Sequence, residues 1–276
     1  MVKEIEVNQY PREFDTTLTR TINECERLWN KQPPFPGTFD KLVSAQVEKT
    51  IGSQRDKVVV VDLGSGDGTL FYDAINDQVS GSEMTRTREL LSQNPNMKVR
   101  MVGLDDAPSE EVFLKGISIQ DYDGCHTFSQ VTAENVYYSL TRNQTLGKFL
   151  ESLKIPKVDL ILGTSFFQSL EPVLFEQVLR DAVKALRSGG VLYGQGIALD
   201  DIVPMPPELT NLMRKLLIYP NPQDRAKADR ALKWSLNPTN IRKVKQEKAE
   251  AVKRVRQSMP QADITFINDK LLVKKK

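Results

Sequence analysis

The chain has 276 residues, 39% of them hydrophobic, which is enough for a sizeable core. Its 38 lysines and arginines against 36 acids leave a net charge of +2, so no overall basic excess demands a nucleic acid, although the charge is unevenly placed. Cys25 and Cys125 are too few and too separated for a metal framework or a disulfide-stapled secreted domain; with no stretch that reads as a signal peptide and no apolar run of bilayer length, a reducing, cytoplasmic setting without membrane attachment is expected.

Tyr10, Pro11 and Phe14 sit in a polar segment that cannot fold alone. Leu18, Ile22, Cys25 and Trp29 then recur at helical spacing behind Asp15-Thr16-Thr17, and the run Pro33-Pro34-Phe35-Pro36-Gly37 ends that helix. Phe39, Leu42, Val43, Val47 and Ile51 form the stripe of a second helix, with Gly52 as its cap. Core packing is the expected role of Trp29 and Phe39.

Four consecutive β-branched residues, Val58 to Val61, predict a strand buried on both faces. Asp62-Leu63-Gly64-Ser65-Gly66-Asp67-Gly68-Thr69 follows as a sharp turn, and Leu70, Phe71, Ala74 and Ile75 share one face of a helix. The turn therefore lies at the carboxyl end of a strand, where open α/β sheets bind ligands. Neither the dinucleotide spacing G-x-G-x-x-G nor the phosphate loop G-x-x-x-x-G-K-[ST] is present, which disfavours a nicotinamide dehydrogenase. Carboxylates around the glycines would repel a phosphate and suit a ligand carrying positive charge.

Ser80-Gly81-Ser82 and Asn94-Pro95-Asn96 bracket a predicted helix from Thr85 to Gln93. Val102-Gly103-Leu104-Asp105 reads as a second strand ending in an acid, and Asp106-Ala107-Pro108-Ser109-Glu110 opens another helix. His126, the only histidine, follows Asp123-Gly124-Cys125 in a loop. Gln130-Val131-Thr132-Ala133-Glu134-Asn135 is read as the segment after a third strand. Val158 to Leu162 form a fourth, running through Gly163 and Thr164 into Ser165-Phe166-Phe167-Gln168. Leu174, Val178, Leu179, Ala182, Val183 and Leu186 make a helical stripe that Gly189-Gly190 ends, before a fifth strand at Val191-Leu192-Tyr193.

Pro204, Pro206 and Pro207 introduce a helix from Glu208 to about Ile218, and a second covers Asp224 to Ser235 after Tyr219-Pro220-Asn221-Pro222. A third starts near Thr239. Ile241, Val244, Ala251, Val252, Val255 and Met259 line one side of it, while Arg242, Lys243, Lys245, Lys248, Lys253, Arg254 and Arg256 crowd the others, offset in part by Glu247 and Glu250. Such a face is either solvated or directed at an anionic partner such as RNA. Ile264 to Val273 reads as two strands around Asn268-Asp269, with Lys274-Lys275-Lys276 expected to fray.

The acid-flanked glycine turn, the acid Asp105, the segment Gln130 to Asn135, and the succession of strand, aromatic loop, helix, Gly-Gly and strand occur in one order over roughly Val58 to Ile197. In that order the chain resembles the class I S-adenosylmethionine-dependent methyltransferases. The resemblance implies an α/β fold: a seven-stranded, mostly parallel sheet with an antiparallel C-terminal hairpin, helices on both faces, extra N-terminal helices and a helical insertion before the last two strands. It implies one domain over 1–276, with a helical cap at 1–56, a cofactor-binding core at 57–199, the insertion at 200–260 and the hairpin at 261–276.

The resemblance further implies S-adenosyl-L-methionine as cofactor, with Asp62, Gly64, Ser65 and Gly66 at the turn, Asp105 and Asp106 at the ribose, Thr132 and Ala133 at the adenine, and Gly163 and Thr164 beside the fourth strand. A carboxylate suits a diol because its two oxygens accept both hydroxyl protons. Thr132 stands where the family has an acid, which leaves the Ala133 amide for the adenine. Tyr10 is placed in a lid, and Ser165, Phe166, Phe167 and Gln168 around the substrate.

Methyl transfer asks for proximity, exclusion of water and, for an amine or alcohol, removal of a proton. His126 suits that base by its ordinary pKa near 6.5, although its loop position equally suits an exposed bystander. Asn-Pro-Pro-Tyr is absent after the fourth strand, which argues against adenine-N6 and glutamine methylation, and no cysteine stands there for cysteine-dependent base methylation. No metal is expected. The substrate expected is a small organic molecule methylated on O or N; RNA or protein through the basic helix 240–258, and a cofactor-binding protein without turnover, stay as alternatives. Oligomeric state is not legible.

Overall fold

Val58, Val59, Val60 and Val61 are each at most 7% exposed, and the alternation of a strand divides them between two cores. Val58 and Val60 face Phe39, Val43 and Leu91; Val59 and Val61 face Leu150, Val178 and Leu192. Burying such side chains is worth about 1.5–3 kcal/mol each, so this strand, β1 (Lys57–Leu63), is the natural centre of the sheet. The computed structural model describes residues 38–65, 71, 84–105, 117–118, 130–137, 145–164, 166–168, 170–195, 212–213, 215–216, 221–267 and 270–276. Tyr10 and the expected helix with Trp29 lie outside the described residues.

Ahead of β1 runs α1 (Thr38–Gly52), and after it come α2 (Thr85–Ser92), β2 (Lys98–Asp105), the two-residue β3 (Ile117–Ser118), β4 (Val131–Tyr137), α3 (Leu146–Ser152), β5 (Val158–Thr164), α4 (Pro172–Ala185) and β6 (Leu186–Gln195). The chain closes with α5 (Pro222–Ser235), α6 (Pro238–Ser258), β7 (Ala262–Ile267) and β8 (Lys270–Lys275). Strand order is β3-β4-β2-β1-β5-β6-β8-β7. β4, β2, β1, β5 and β6 are mutually parallel, whereas β8 pairs antiparallel with both β6 and β7. This is the expected seven-stranded arrangement with its antiparallel hairpin, extended by one short edge strand.

Helices α1 and α2 cover one face, and α3, α4 and α6 the other. The first pair is joined by a cap supplied from outside the capped helix. Met84 precedes α2 and offers no side-chain acceptor, so the buried Asp40 carboxylate of α1 accepts from the Arg86 amide at 2.8 Å and from the Thr87 amide and hydroxyl at 2.9 and 2.7 Å.

Four expectations are corrected in detail. Gly52 is the last helical residue of α1, and the left-handed position falls on Gln54, φ 58°. Leu186 begins β6 instead of ending α4, and Gly189 and Gly190 lie in a bulge of that strand, Gly189 at φ 73°. The lysines at 274–276 are not frayed: Lys275 Nζ donates to the Leu186 carbonyl at 2.7 Å, and Ser188 Oγ donates to that of Lys276 at 2.8 Å. Lys248 belongs to the inward side of α6, at 3% exposure.

Candidate functional site

The chain leaves β1 for β2 and β4 on one side and for β5 and β6 on the other, which makes the carboxyl ends of β1 and β5 the switch point of the sheet. At that end the turn after β1 is hooked onto its neighbour. The amides of Gly64 and Ser65 both donate to the Leu104 carbonyl, at 2.7 and 3.1 Å, and Asp105 is the next residue of β2. The glycine turn and the acid of the second strand are thereby adjacent, as the motif order leads one to expect. Gly64 adopts φ 65°, a conformation that L side chains rarely take. Asp62 is fully buried two residues before it, on the Val58 and Val60 side of the strand, and Ser65 is 2% exposed.

The loop after β5 closes the site from the other side. The Phe166 ring lies on the glycine turn: a Cβ on Gly64 would stand 2.8 Å from Phe166 Cδ2. Phe167 takes the opposite course. Its ring fills the space over Gly163 and Gly194, where added Cβ atoms would come within 2.3 and 2.9 Å, and it meets the Phe166 and Phe175 rings edge-on. Phe167 is fully buried, so of the two phenylalanines expected to wall a pocket it is part of the core. Gly163 accordingly makes room for that ring on its open face. Gln168 is 2% exposed, which removes it from an open substrate surface.

Thr132 and Ala133 are displaced from their expected place. They are the second and third residues of β4, not the segment after it, because Arg100 pairs with Thr132 and Met101 with Ala133 near the start of β2. The carboxyl end of β4 is Tyr137, opposite Asp105, and four residues at ~3.3 Å each put Ala133 roughly 13 Å away from it. Thr132 is exposed and Ala133 buried against the α1 and α2 layer. Thr164 ends β5 beside Gln195 of β6. Gly66, Asp106, His126 and Ser165 lie outside the described residues.

One buried residue beside this loop was missed by the sequence reading. Lys248 of α6 sends its ammonium under the loop after β5, donating to the carbonyls of Phe167 at 2.9 Å and Gln168 at 3.0 Å, with the Phe175 ring centroid 5.6 Å away. Burial lowers its pKa from the usual 10.5 to about 7. The signal was available, because position 248 lies one heptad after Ile241 and one before Val255, on the apolar stripe itself.

The rest of α6 offers less free charge than its composition implies. Arg254 bonds Glu176 at 2.7 Å, Lys253 bonds Glu250 at 2.8 Å, Lys243 stands 3.9 Å from Glu247, and Arg256 donates to the Ile264 carbonyl at 2.6 Å. Arg254, and then Arg180, hold the Glu176 carboxyl below the usual glutamate range. Among the described residues no helix is long and apolar enough to cross a membrane, and no three His, Cys, Asp or Glu side chains group to hold a metal.

No protein-family model and no curated protein sequence matches the chain. Solved structures do, at low identity. A candidate S-adenosyl-L-methionine-dependent methyltransferase from Methanococcus maripaludis is 14% identical with a TM-score of 0.39, over 92% of each chain. The plantazolicin methyltransferase BpumL, solved in complex with a monoazolic desmethylPZN analogue and SAH, is 11% identical at 0.37, over 96% of this chain and 98% of that one. An O-methyltransferase family 2 protein from Planctomyces limnophilus, in complex with apigenin, is 14% identical at 0.41, over 98% of this chain and 63% of that one. Likenesses of that degree say nothing of activity. It is the strand order, with the reversed hairpin after β6 and the hooked glycine turn at the switch point, that makes this chain a doubly wound, Rossmann-like α/β fold, the architecture that the sequence resemblance implies.

Proposed function

We propose that the protein is an S-adenosylmethionine-dependent methyltransferase that acts on an O or N atom of a small organic molecule. The observation that carries this reading is the docking of the Gly64 and Ser65 amides on Leu104, which sets a left-handed glycine turn against Asp105 at the switch point. A ligand with a ribose diol and a cationic centre fits that combination: a carboxylate for the hydroxyls, an acidic surround for the charge and no phosphate-binding spacing. Thr132 and Ala133, inside β4, do not fit the adenine position.

Bound there, S-adenosylmethionine would supply an electrophilic methyl group. The chain's own contribution is to hold that group and its acceptor together and to keep water away, for which Phe166 against the glycine turn is the apolar wall at hand. An RNA or protein substrate loses support, since Lys243, Lys248, Lys253, Arg254 and Arg256 of the basic helix are engaged within the fold.

Titration calorimetry with S-adenosylmethionine and S-adenosylhomocysteine tests the reading. Binding of both is expected, and a folded sample that binds neither removes it. A methyl acceptor found among small phenols, acids or amines, with no salt-dependent retention of RNA, separates the small-molecule reading from the polymer one.

A further inference from the structure

The loop after β5 turns while buried, and among the described residues its backbone lies beyond the strand pairing, which ends at Thr164 and Gln195. Residues 166–168 form a turn, with Phe167 fully buried and Gln168 2% exposed. A carbonyl left without a donor in such a place is costly. Two of them are served from about 80 positions further along the chain, by the single ammonium of Lys248. The same turn carries Phe166, whose ring rests on Gly64. A continuous mechanical connection therefore runs from α6 through Lys248 and the turn to the glycine bend at the switch point.

We propose that Lys248 is a positioning residue: by holding the Phe167 and Gln168 carbonyls it seats Phe166 on the glycine turn, and so couples α6 to the cofactor end of the sheet. This deepens the methyltransferase reading and rests on it for the word cofactor; the tie itself rests on geometry alone. The choice of lysine follows from the demand. Its four-carbon stem is apolar enough to cross the α4 and α6 interface, and its head carries donors for both carbonyls, with Phe175 against it. A neutral amine retains two N–H groups, so the tie persists in either protonation state. Lys248 meets the two carbonyls and the Phe175 ring, while the acids of α4 and α6 nearest in sequence to the contact are engaged elsewhere: Glu176 is bonded to Arg180 and Arg254, Glu247 lies near Lys243, and Glu250 is bonded to Lys253.

The test is Lys248→Met, read by amide hydrogen exchange and by calorimetry with S-adenosylhomocysteine on the full chain. Exchange in 163–171 is expected to rise roughly tenfold, and affinity to fall by a similar factor, the scale of one or two net hydrogen bonds. A further readout is the pH dependence of stability. Between about pH 7 and the usual lysine value of 10.5 the unfolded chain holds a proton that folded Lys248 lacks, so the wild-type protein gains stability across that window and Lys248→Met lacks this gain. Exchange that rises evenly over α4 and α6, with affinity per folded molecule unchanged, overturns the proposal, as does unaltered exchange in 163–171. Should Lys248→Met not fold, Lys248→Gln keeps two N–H donors on a shorter stem and is read in the same way, with a smaller effect expected. If the wild-type protein binds no S-adenosylhomocysteine, the functional reading falls while the exchange arm still decides the tie.

Discussion

The two ends of the parallel strands are built to different purposes. At the amino end, polar groups are tied to one another by side chains. Buried Asp159 accepts from the Val59 amide at 2.9 Å and pairs with Arg55 at 2.9 Å and Arg187 at 3.2 Å, joining β1, β5 and β6. The Gln130 amide lies within 3.1 Å of the carbonyls of Leu91, Asn94 and Met97, and Lys157 and Lys275 both donate to the Lys184 carbonyl at the end of α4. At the carboxyl end stand a left-handed glycine and an acid, with an aromatic ring laid over the turn. Among the described residues, the amino end is braced across strands by side chains, and the carboxyl end carries the special backbone at Gly64.

Substitutions at the two ends should therefore separate stability from binding. The largest effect is expected for Asp159→Ala, which strands two guanidinium groups and the Val59 amide: a loss of about 3–5 kcal/mol in urea unfolding, with S-adenosylhomocysteine affinity of the folded fraction unchanged. A parallel loss of affinity would break the separation. Asp105→Ala is the converse. Removing a charged acceptor for two hydroxyls should weaken S-adenosylhomocysteine by roughly 30-fold in calorimetry, with the thermal midpoint of the free protein little moved. Gln130→Ala should cost about 1–2 kcal/mol in the same unfolding assay, because water replaces the amide at a half-buried turn, and should leave ligand affinity as it was.

The frame of the fold was legible because its signals are local and redundant. Val58 to Val61 announce a strand covered on both faces, Thr85 to Gln93 announces a helix between two breaks, and Asn268-Asp269 separates two strands that pair with a two-residue connection. The turn after β1 was legible because it requires a special backbone, as at Gly64, whereas the reading of a cofactor contact went further than the residues allow. The segment Gln130 to Asn135 was misread because a family pattern was laid over residues whose own alternation says otherwise. Val131 and Ala133 are buried, Thr132 is exposed and Glu134 half-buried, so the stretch already has the period of a strand, and Glu134 answers to Arg100 at 2.7 Å instead of to a ligand. Lys248 was grouped with the outward cations by its charge, although its spacing put it inside. Contacts across the chain, such as Asp40 on Arg86 and Thr87, leave no local trace at all.

The Phe167 ring, wedged over Gly163 and Gly194, sets a limit on how this loop can be altered. A methyl group at Gly163 meets the ring at 2.3 Å, so enlarging that position calls for a smaller residue at 167, and the two sites can change only as a compensating exchange. Phe166 is half-buried and stands in a like relation to Gly64, where an added methyl would meet its ring at 2.8 Å. The two neighbouring phenylalanines thus each lock a glycine of a different strand end, so the loop can be altered only together with the backbone it covers.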